Sequence, residues 1–408
     1  MLRIINISDL VATAFFLLLI IIGCNAKQID YTITVEAGTF DRQESVVTFY
    51  FPYEVPQGMY QMESESGEFI DLQVNDNNQG TFILDSLTAE SIKSYHFIQE
   101  PVVLSPQVTS HPGENIVTFK GNGKNILSYY YNENNPPATL GSEYKRGGYI
   151  HPVYSPKGVI LTNHLNSDGH SHHYGIWSAW TKTHFQGRTP DFWNVDALTG
   201  RVDHVDSVYA DWSGSVYAGF RGLNYFIDLS SSDSVIALNE EWEVTIYRPL
   251  QEDNYYVFDL KVTQTANSHN KLVLPKYRYG GIGFRGHSEW SNSENVTFLT
   301  SSGHARDGHT KRARWCHIGG YINNKLAGIT IMGSPDNFRH PQPMRIHPEE
   351  PFFNFAPTQL GEFSIEPGSP YISRYRYVTY DGEVDPEELN RIWNDFAYPP
   401  NVTVIAAD

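Results

Sequence analysis

Apolar and polar residues alternate along most of this chain, and the alternation has the period of a half-buried strand. Tyr31-Thr-Ile-Thr-Val35 and the β-branched, aromatic run Ser45-Val-Val-Thr-Phe-Tyr-Phe51 predict short strands within residues 28–100. Gln57-Gly58 and Asn75-Asp76-Asn77-Asn78 predict the turns between them. A Pro/Ser/Gly stretch at 104–114 reads as a boundary. The strand pattern then resumes through Val216–Phe220, Val235–Leu238, Trp242–Tyr247, Tyr255–Thr263 and Leu326–Met332, and ends near residue 383. One helix is predicted from Asp385 to Phe396, with Asp385 as cap, Pro386 in the first turn and acids at the positive end of the dipole. No repeat of fixed period is present, which argues against a propeller or solenoid. The pattern therefore predicts an all-β protein: a small immunoglobulin-like β-sandwich over 24–112 and a large β-sandwich over 113–400.

Residues 1–23 break the pattern. Leu10 to Ile22 is an unbroken run of apolar or small residues behind Arg3, too short for a typical membrane span, and it closes on Ile21-Ile22-Gly23-Cys24. A small residue followed by cysteine at a cleavage point is the form of a bacterial lipobox. Cys24 is then the lipidated N-terminus, and the protein is expected on the cell envelope, anchored by lipid alone. Cys316 would be the one thiol left and is expected to be a packed core residue.

Composition sharpens the class. The 408 residues include 26 Tyr, 22 Phe, 32 Gly and 23 Pro, which fits β structure with many turns and excludes coiled coil or collagen. With 29 Lys and Arg against 46 Asp and Glu, the formal charge is −17, so nucleic acid is not an expected partner. The chain contains no Walker loop, nucleophile elbow or dinucleotide fingerprint.

Candidate chemistry is concentrated. Six of the 16 histidines, His151, His164, His170, His172, His173 and His184, fall within 34 residues. If His170–Trp177 is extended, His170 and His172 share one face and His173 takes the other. Such a pair suits two ligands of a divalent metal, or a base beside its orienting partner, and structural histidines remain a third reading. No third metal ligand is evident, and no cofactor is firmly implied. Trp177 and Trp193 suit stacking on a sugar ring, against the alternative of core packing. Tyr277-Arg278-Tyr279 could deprotonate a carbon acid and hold its carboxylate. His304 to Arg314 is a basic segment in an acidic chain, and Arg306, Arg312 and Arg314 suit a sulfate or carboxylate. His340-Pro341 marks another pocket loop.

Several of these motifs together resemble the PmoA-like family of bacterial proteins: Tyr149-Ile-His-Pro, Pro156-x-Gly158, His172-His173-x-Gly-Ile-Trp177, Asp191-Phe-Trp193, Tyr279-Gly-Gly281, Glu366-Pro-Gly368, Arg374-Tyr-Arg376 and Asp381-Gly382. The resemblance covers about residues 115–398. It implies that the large domain is similar to galactose-mutarotase-like β-supersandwiches. The leader and added β domain look like a branch from marine Bacteroidetes, where similar proteins dehydrate ulvan oligosaccharides. That implies a hydro-lyase removing water from the non-reducing-end glucuronate or iduronate of an anionic sulfated oligosaccharide, leaving a 4,5-unsaturated uronate. His172, His173, Tyr277, Tyr279 and His151 are then the catalytic candidates. Arg278, Arg306, Arg312, Arg314, Trp177, Trp193 and His340 are the substrate-binding ones. The family's usual His-Pro-His-His is here His170-Ser171-His172-His173. A carbohydrate-binding envelope lipoprotein without activity, and a sugar epimerase or mutarotase, are the alternative expectations.

Overall fold

The computed structural model describes residues 29–100, 102–165, 169–205, 210–250 and 254–407. Cys24 and the expected leader, residues 1–23, lie outside them. Among the described residues the structure is all-β with a single α-helix, in a curled seven-stranded sheet and a large sandwich of an eight-stranded and a nine-stranded sheet.

The first sheet runs in the order Arg42–Tyr50, Gln79–Leu87, Phe69–Val74, Gly58–Ser64, Ile92–Ile98, Asp30–Glu36, Asn401–Ala406, antiparallel throughout. Alternation works as expected: in Asp30–Glu36, Tyr31, Ile33 and Val35 are fully buried. They meet Tyr60, Leu72, Phe82 and Phe97 in one core, and the sheet bends over that core until its two end strands touch. The chain leaves this sheet at Ile98 and enters the sandwich at Val108–Pro112, ahead of the boundary drawn at residue 112. Val-Thr-Ser-His-Pro has too little apolar pattern to stand out as a strand from its neighbours. The last strand, Asn401–Ala406, returns to pair with Asp30–Glu36, so both ends of the described chain close the first sheet.

The eight-stranded sheet is ordered Met344–Ile346, Phe352–Phe355, Gly281–Arg285, Ile176–Ala179, Tyr149–Val153, Lys124–Tyr130, Ile116–Gly121, Val108–Pro112. Facing it are Gly200–His204, Tyr217–Asp228, Val235–Tyr247, Tyr255–Ala266, Tyr371–Asp381, Lys325–Gly333, Trp315–Ile322 and Val296–Thr300, with Ala210–Trp212 paired to Tyr217–Asp228. Ile150, Ile176, Phe284 and Phe353 from one sheet meet Phe220, Trp242, Leu260 and Ile329 from the other in the main core. Cys316 belongs to that core, and burial pushes its thiol up, as expected of a packing residue.

The helix spans Pro386–Ala397. Asp385 accepts from the Glu387 and Glu388 amides, and Leu389, Ile392 and Trp393 are buried. It ties the two units together. Asp395 accepts from Arg42 Nη1 at 2.9 Å, Ser45 Oγ at 2.8 Å and Arg391 Nη1 at 2.9 Å. Two of the separated sequence motifs also meet: Asp381 accepts from Ser155 Oγ at 2.7 Å and the Lys157 amide at 2.8 Å, so Asp381-Gly382 holds the Ser155–Gly158 turn.

Strand alternation places the functional region. Residues next to the core-facing Ile150, Ile176 and Phe353 point to the other side of the eight-stranded sheet, where Tyr149, Trp177 and Phe352 form a second apolar cluster with Trp193.

Candidate functional site

The site grows from that outer face. Trp177 pairs with Gly283, and Arg285 pairs with Phe352, so these four positions share a face. Gly283 is required there: a Cβ would lie 3.0 Å from both the Trp177 and the Trp193 rings. Asp191 sets Trp193 in place by accepting from the Trp193 and Asn194 amides at 2.9 Å each. His173, 4% exposed, is stacked on Phe352 at 4.9 Å and lies 4.8 Å from Trp177 between ring centroids.

The histidine segment is a turn, which corrects the extended reading. Gly169 and His170 both have positive φ, at 143° and 51°, and the His173 amide donates to the His170 carbonyl at 3.0 Å. His170 and His172 therefore do not alternate with His173. All three rings converge: His170 stacks on His173 at 5.1 Å, and His172 meets His173 at 4.7 Å. His347, from the loop after Met344–Ile346, joins them 5.2 Å from His170.

These rings line a small cavity of about 70 Å³ with Trp193, Phe352, Tyr279, Arg278 and Arg345. Arg278 lies over Tyr279 at 5.4 Å, and the Tyr277 and Tyr279 rings are 5.1 Å apart. Burial, and then Tyr279, raises the Tyr277 hydroxyl above its ordinary value. Arg345 lies with Nη1 3.4 Å from His309 Nε2. Burial and then Arg278 lower its pKa, and both arginines line the one pocket. Neither Arg278 nor Arg345 has a carboxylate partner among the described ion pairs.

Below them lies Arg285, with a side chain 1% exposed. Its Nη2 is 2.6 Å from Glu350 Oε2, an ion-pair distance with an angle too poor for a hydrogen bond, and its Nε and Nη1 have no partner. Burial raises the Glu350 carboxyl, but Arg285 and the Ser291 hydroxyl outweigh it and hold it low. Burial first and neighbouring positive or imidazole groups second push His172 and His347 down to about 4 and His173 well below its usual value. His170 is lowered by burial and then by Arg285. At neutral pH the four imidazoles are uncharged and the guanidiniums supply the positive charge, with Glu350 the carboxylate among them.

The structure thus brings together His170, His172, His173, Tyr279, Arg278 and Trp193 of the residues expected from sequence, with Tyr277 beside Tyr279. Others are placed elsewhere. His151 accepts or donates at 2.9 Å to Thr162 Oγ1 and stacks on His164 at 4.0 Å, outside the pocket lining. His340 stacks on Trp393 of the helix. Trp177 is fully buried beneath His173 and has no face to offer a sugar. Arg306 donates to the carbonyls of His347, Glu349 and Glu350 and so braces the loop that carries His347. Arg312 donates to the Pro341 and His340 carbonyls, and Arg314 donates to Asn390 while lying over Trp393. Each guanidinium is tied to the fold through at least one donor, and none of the three lines the histidine pocket. Sequence reading missed Arg285, Arg345, His347 and Glu350. A signal existed for two of them: Arg345-Ile-His347-Pro348 repeats the Ile-His-Pro of 150–152. Among the described residues no three His, Cys, Asp or Glu side chains are grouped to hold a metal ion, so His170 and His172 lack a third ligand.

A family model described as a family of unknown function, DUF6807, matches residues 117–394. No curated protein matches the chain. Solved structures to which the chain is similar include a glycosyl hydrolase family 38 protein from Enterococcus faecalis, at 8% identity and TM-score 0.39, covering 93% of this chain and 47% of that one. An alpha-mannosidase from Enterococcus faecalis V583 matches at 10% identity and TM-score 0.38, covering 93% and 46%. The chain spans about half the length of these structures. The family match runs across both sheets of the sandwich and every residue of the histidine–arginine pocket, and the chain belongs to DUF6807, a family of unknown function.

Proposed function

We propose that the protein is a carbohydrate-active dehydratase that eliminates water from a terminal uronate of an anionic oligosaccharide, in the finer reading a sulfated ulvan fragment ending in glucuronate or iduronate. The observation that carries the proposal is the pocket itself: two guanidiniums without carboxylate partners beside uncharged imidazoles and a tyrosine hydroxyl. The C5 proton of a uronate is α to a carboxylate and becomes acidic only when the charge growing on that carboxylate is neutralised. In this reading Arg278 and Arg345, which line the pocket, neutralise that charge. His172 takes the C5 proton, the electron pair forms the C4–C5 double bond, and the C4–O bond breaks. Tyr279 protonates the departing hydroxyl, so one water leaves, and proton return from His172 resets the tyrosine. Burial is the main reason His172 is uncharged, and a bound anion would oppose the smaller contribution of the neighbouring His170 and Arg285 and so strengthen it as a base. Arg306, Arg312 and Arg314 are engaged by the fold, so this reading holds any sulfate outside that segment.

The test is to incubate the whole protein with sulfated and unsulfated uronate-ended oligosaccharides and follow alkene absorbance and product mass. Loss of one water is expected, and His172→Ala should lower kcat by ~10²-fold or more, as for loss of a general base. Saturable binding with unchanged mass would overturn the enzyme in favour of a carbohydrate-binding protein. The same reading places the enzyme on the cell envelope through lipid on Cys24. Among the described residues no helix is long and apolar enough to cross a membrane. Cys24→Ser should release the protein into the soluble fraction, and unchanged membrane partition of that variant would contradict the anchor.

A further inference from the structure

A larger cavity, about 410 Å³, lies away from the histidines, between the first sheet and the nine-stranded sheet, and shares no lining residue with the histidine pocket. Its volume falls within the range of small-molecule sites, ~300–1,000 Å³. The first unit contributes Gln73 from Phe69–Val74 and Asp76 from the turn that follows. The sandwich contributes Trp212, Tyr217, Arg221 and Glu243 from three neighbouring strands.

We propose that this cleft is a binding site for a neutral, polyhydroxylated ligand, a sugar residue or short neutral oligosaccharide. Gln73 is 7% exposed, and its Oε1 accepts from the Val216 and Tyr217 amides at 3.2 Å each. Those two bonds fix the amide plane and leave Nε2 a donor without a partner in a residue that lines the cavity. Gly214 makes this possible, since a Cβ there would lie 2.1 Å from Gln73 Oε1. Acceptors are present across the cleft: Arg221 Nε holds Glu243 Oε2 at 3.1 Å, and its Nη1 lies 3.6 Å from Asp76. The ion pairs fix the carboxylates while leaving oxygen lone pairs for hydroxyl donors. Trp212 lies against Gly219, where a Cβ would be 2.6 Å from Cζ2, and Arg221 lies over its ring at 5.8 Å, so the indole lines the cleft as an ordered apolar wall beside Tyr217. The charged residues lining the cleft are three carboxylates, Asp76, Asp211 and Glu243, against the one guanidinium of Arg221. That balance repels uronates and sulfate esters and admits an uncharged sugar, the opposite preference from the histidine pocket. Since both units line the cleft, a bound sugar would also bridge them.

The proposal stands independently of the dehydratase reading, and its test separates the two. Titration calorimetry of the whole protein uses neutral pentoses, hexoses and their di- to tetrasaccharides, with glucuronate and spermidine as charged probes. At least one neutral sugar should bind saturably, and glucuronate should bind this site on the order of tenfold or more weakly, about 1.4 kcal/mol. Trp212→Ala and Glu243→Gln should each weaken neutral-sugar binding on the order of tenfold, the scale of one lost hydrogen-bonding or stacking contact. His172→Ala should bind neutral sugars as the parent does. Glu243→Gln conserves shape and keeps the test open if Trp212→Ala does not fold. The proposal is overturned if no neutral sugar binds, if spermidine binds in its place, if both cleft variants bind normally, or if His172→Ala abolishes the binding.

Discussion

Arginine identity matters more than arginine density in this protein. The segment from Arg306 to Arg314 is the most basic run noted in the sequence, yet its guanidiniums face carbonyls, Asn390 and aromatic rings. Arg278 and Arg345 are 67 residues apart in the chain and meet over one cavity without carboxylate partners. A guanidinium tied to the fold away from the cavity gains little from an anion bound there, whereas one that lines the cavity without a carboxylate partner gains a charge-assisted bond. Arg278→Gln and Arg345→Gln are therefore expected to raise KM for a uronate-ended oligosaccharide on the order of tenfold or more, with Arg312→Gln close to the parent. Steady-state kinetics of the three variants check it. A larger KM effect in Arg312→Gln than in the other two would return the anion site to the basic run.

At the scale of elements, short strands and turns do what long-range sequence motifs only hint at. Asp381, at the end of Tyr371–Asp381, reaches across the sandwich to the Ser155–Gly158 turn, and Asp191 caps the turn that carries Trp193. The helix Pro386–Ala397 is the strongest local prediction, because cap, first-turn proline and acids all agree with the apolar face that docks. Its contact with the first sheet depends on Asp395, almost fully buried among Arg42, Arg391 and Ser45. Removing one partner of a buried ion pair leaves the others uncompensated, at a cost of about 3–5 kcal/mol. Asp395→Ala should lower folding stability by that amount in denaturant titration. A loss below about 1 kcal/mol would show that the cluster is solvated like a surface pair.

For the molecule as a whole, the acidic balance and the buried histidines set its response to pH. Burial lowers His317 to about 3, with Tyr380 hydroxyl 2.5 Å from its Nδ1, and lowers His164 to about 4. In the unfolded chain these rings titrate near 6.5. Between those values the unfolded state binds protons that the folded state refuses, so stability rises with pH through the window. It is complete above about pH 6.5 and is lost as pH falls toward 4 and 3, by up to about 1.4 kcal/mol per unit for each such ring. The thermal midpoint should therefore fall on going from pH 7 to pH 5, a range above most carboxylate titration. A midpoint that is flat or rises across that range would contradict the burial of these imidazoles. The charge of −17 acts at longer range: the anionic oligosaccharide of the proposed function would be repelled until it lies within a Debye length, ~8 Å, of the arginines.

The sequence by itself determined the all-β class, the capped helix and the packing role of Cys316, and it marked the histidine-rich segment whose rings converge. Each of these depends on local periodicity or composition, which neighbouring residues carry in full. Tertiary structure alone decided the rest. It turned His170–His173 into a ring cluster, because two positive-φ residues outweighed the extended reading of His-Ser-His-His. It left Trp177, Arg306, Arg312 and Arg314 outside the lining of the histidine pocket, and it brought Arg285, Arg345, His347 and Glu350 to that pocket from the neighbouring strands and the loops beside them. It also closed the first sheet with the last strand, and it set Gln73 of that sheet against the nine-stranded sheet to form the second cleft. Whether a charged side chain is free or engaged depends on partners tens to hundreds of residues away, and sheet register, which no local pattern encodes, chooses those partners.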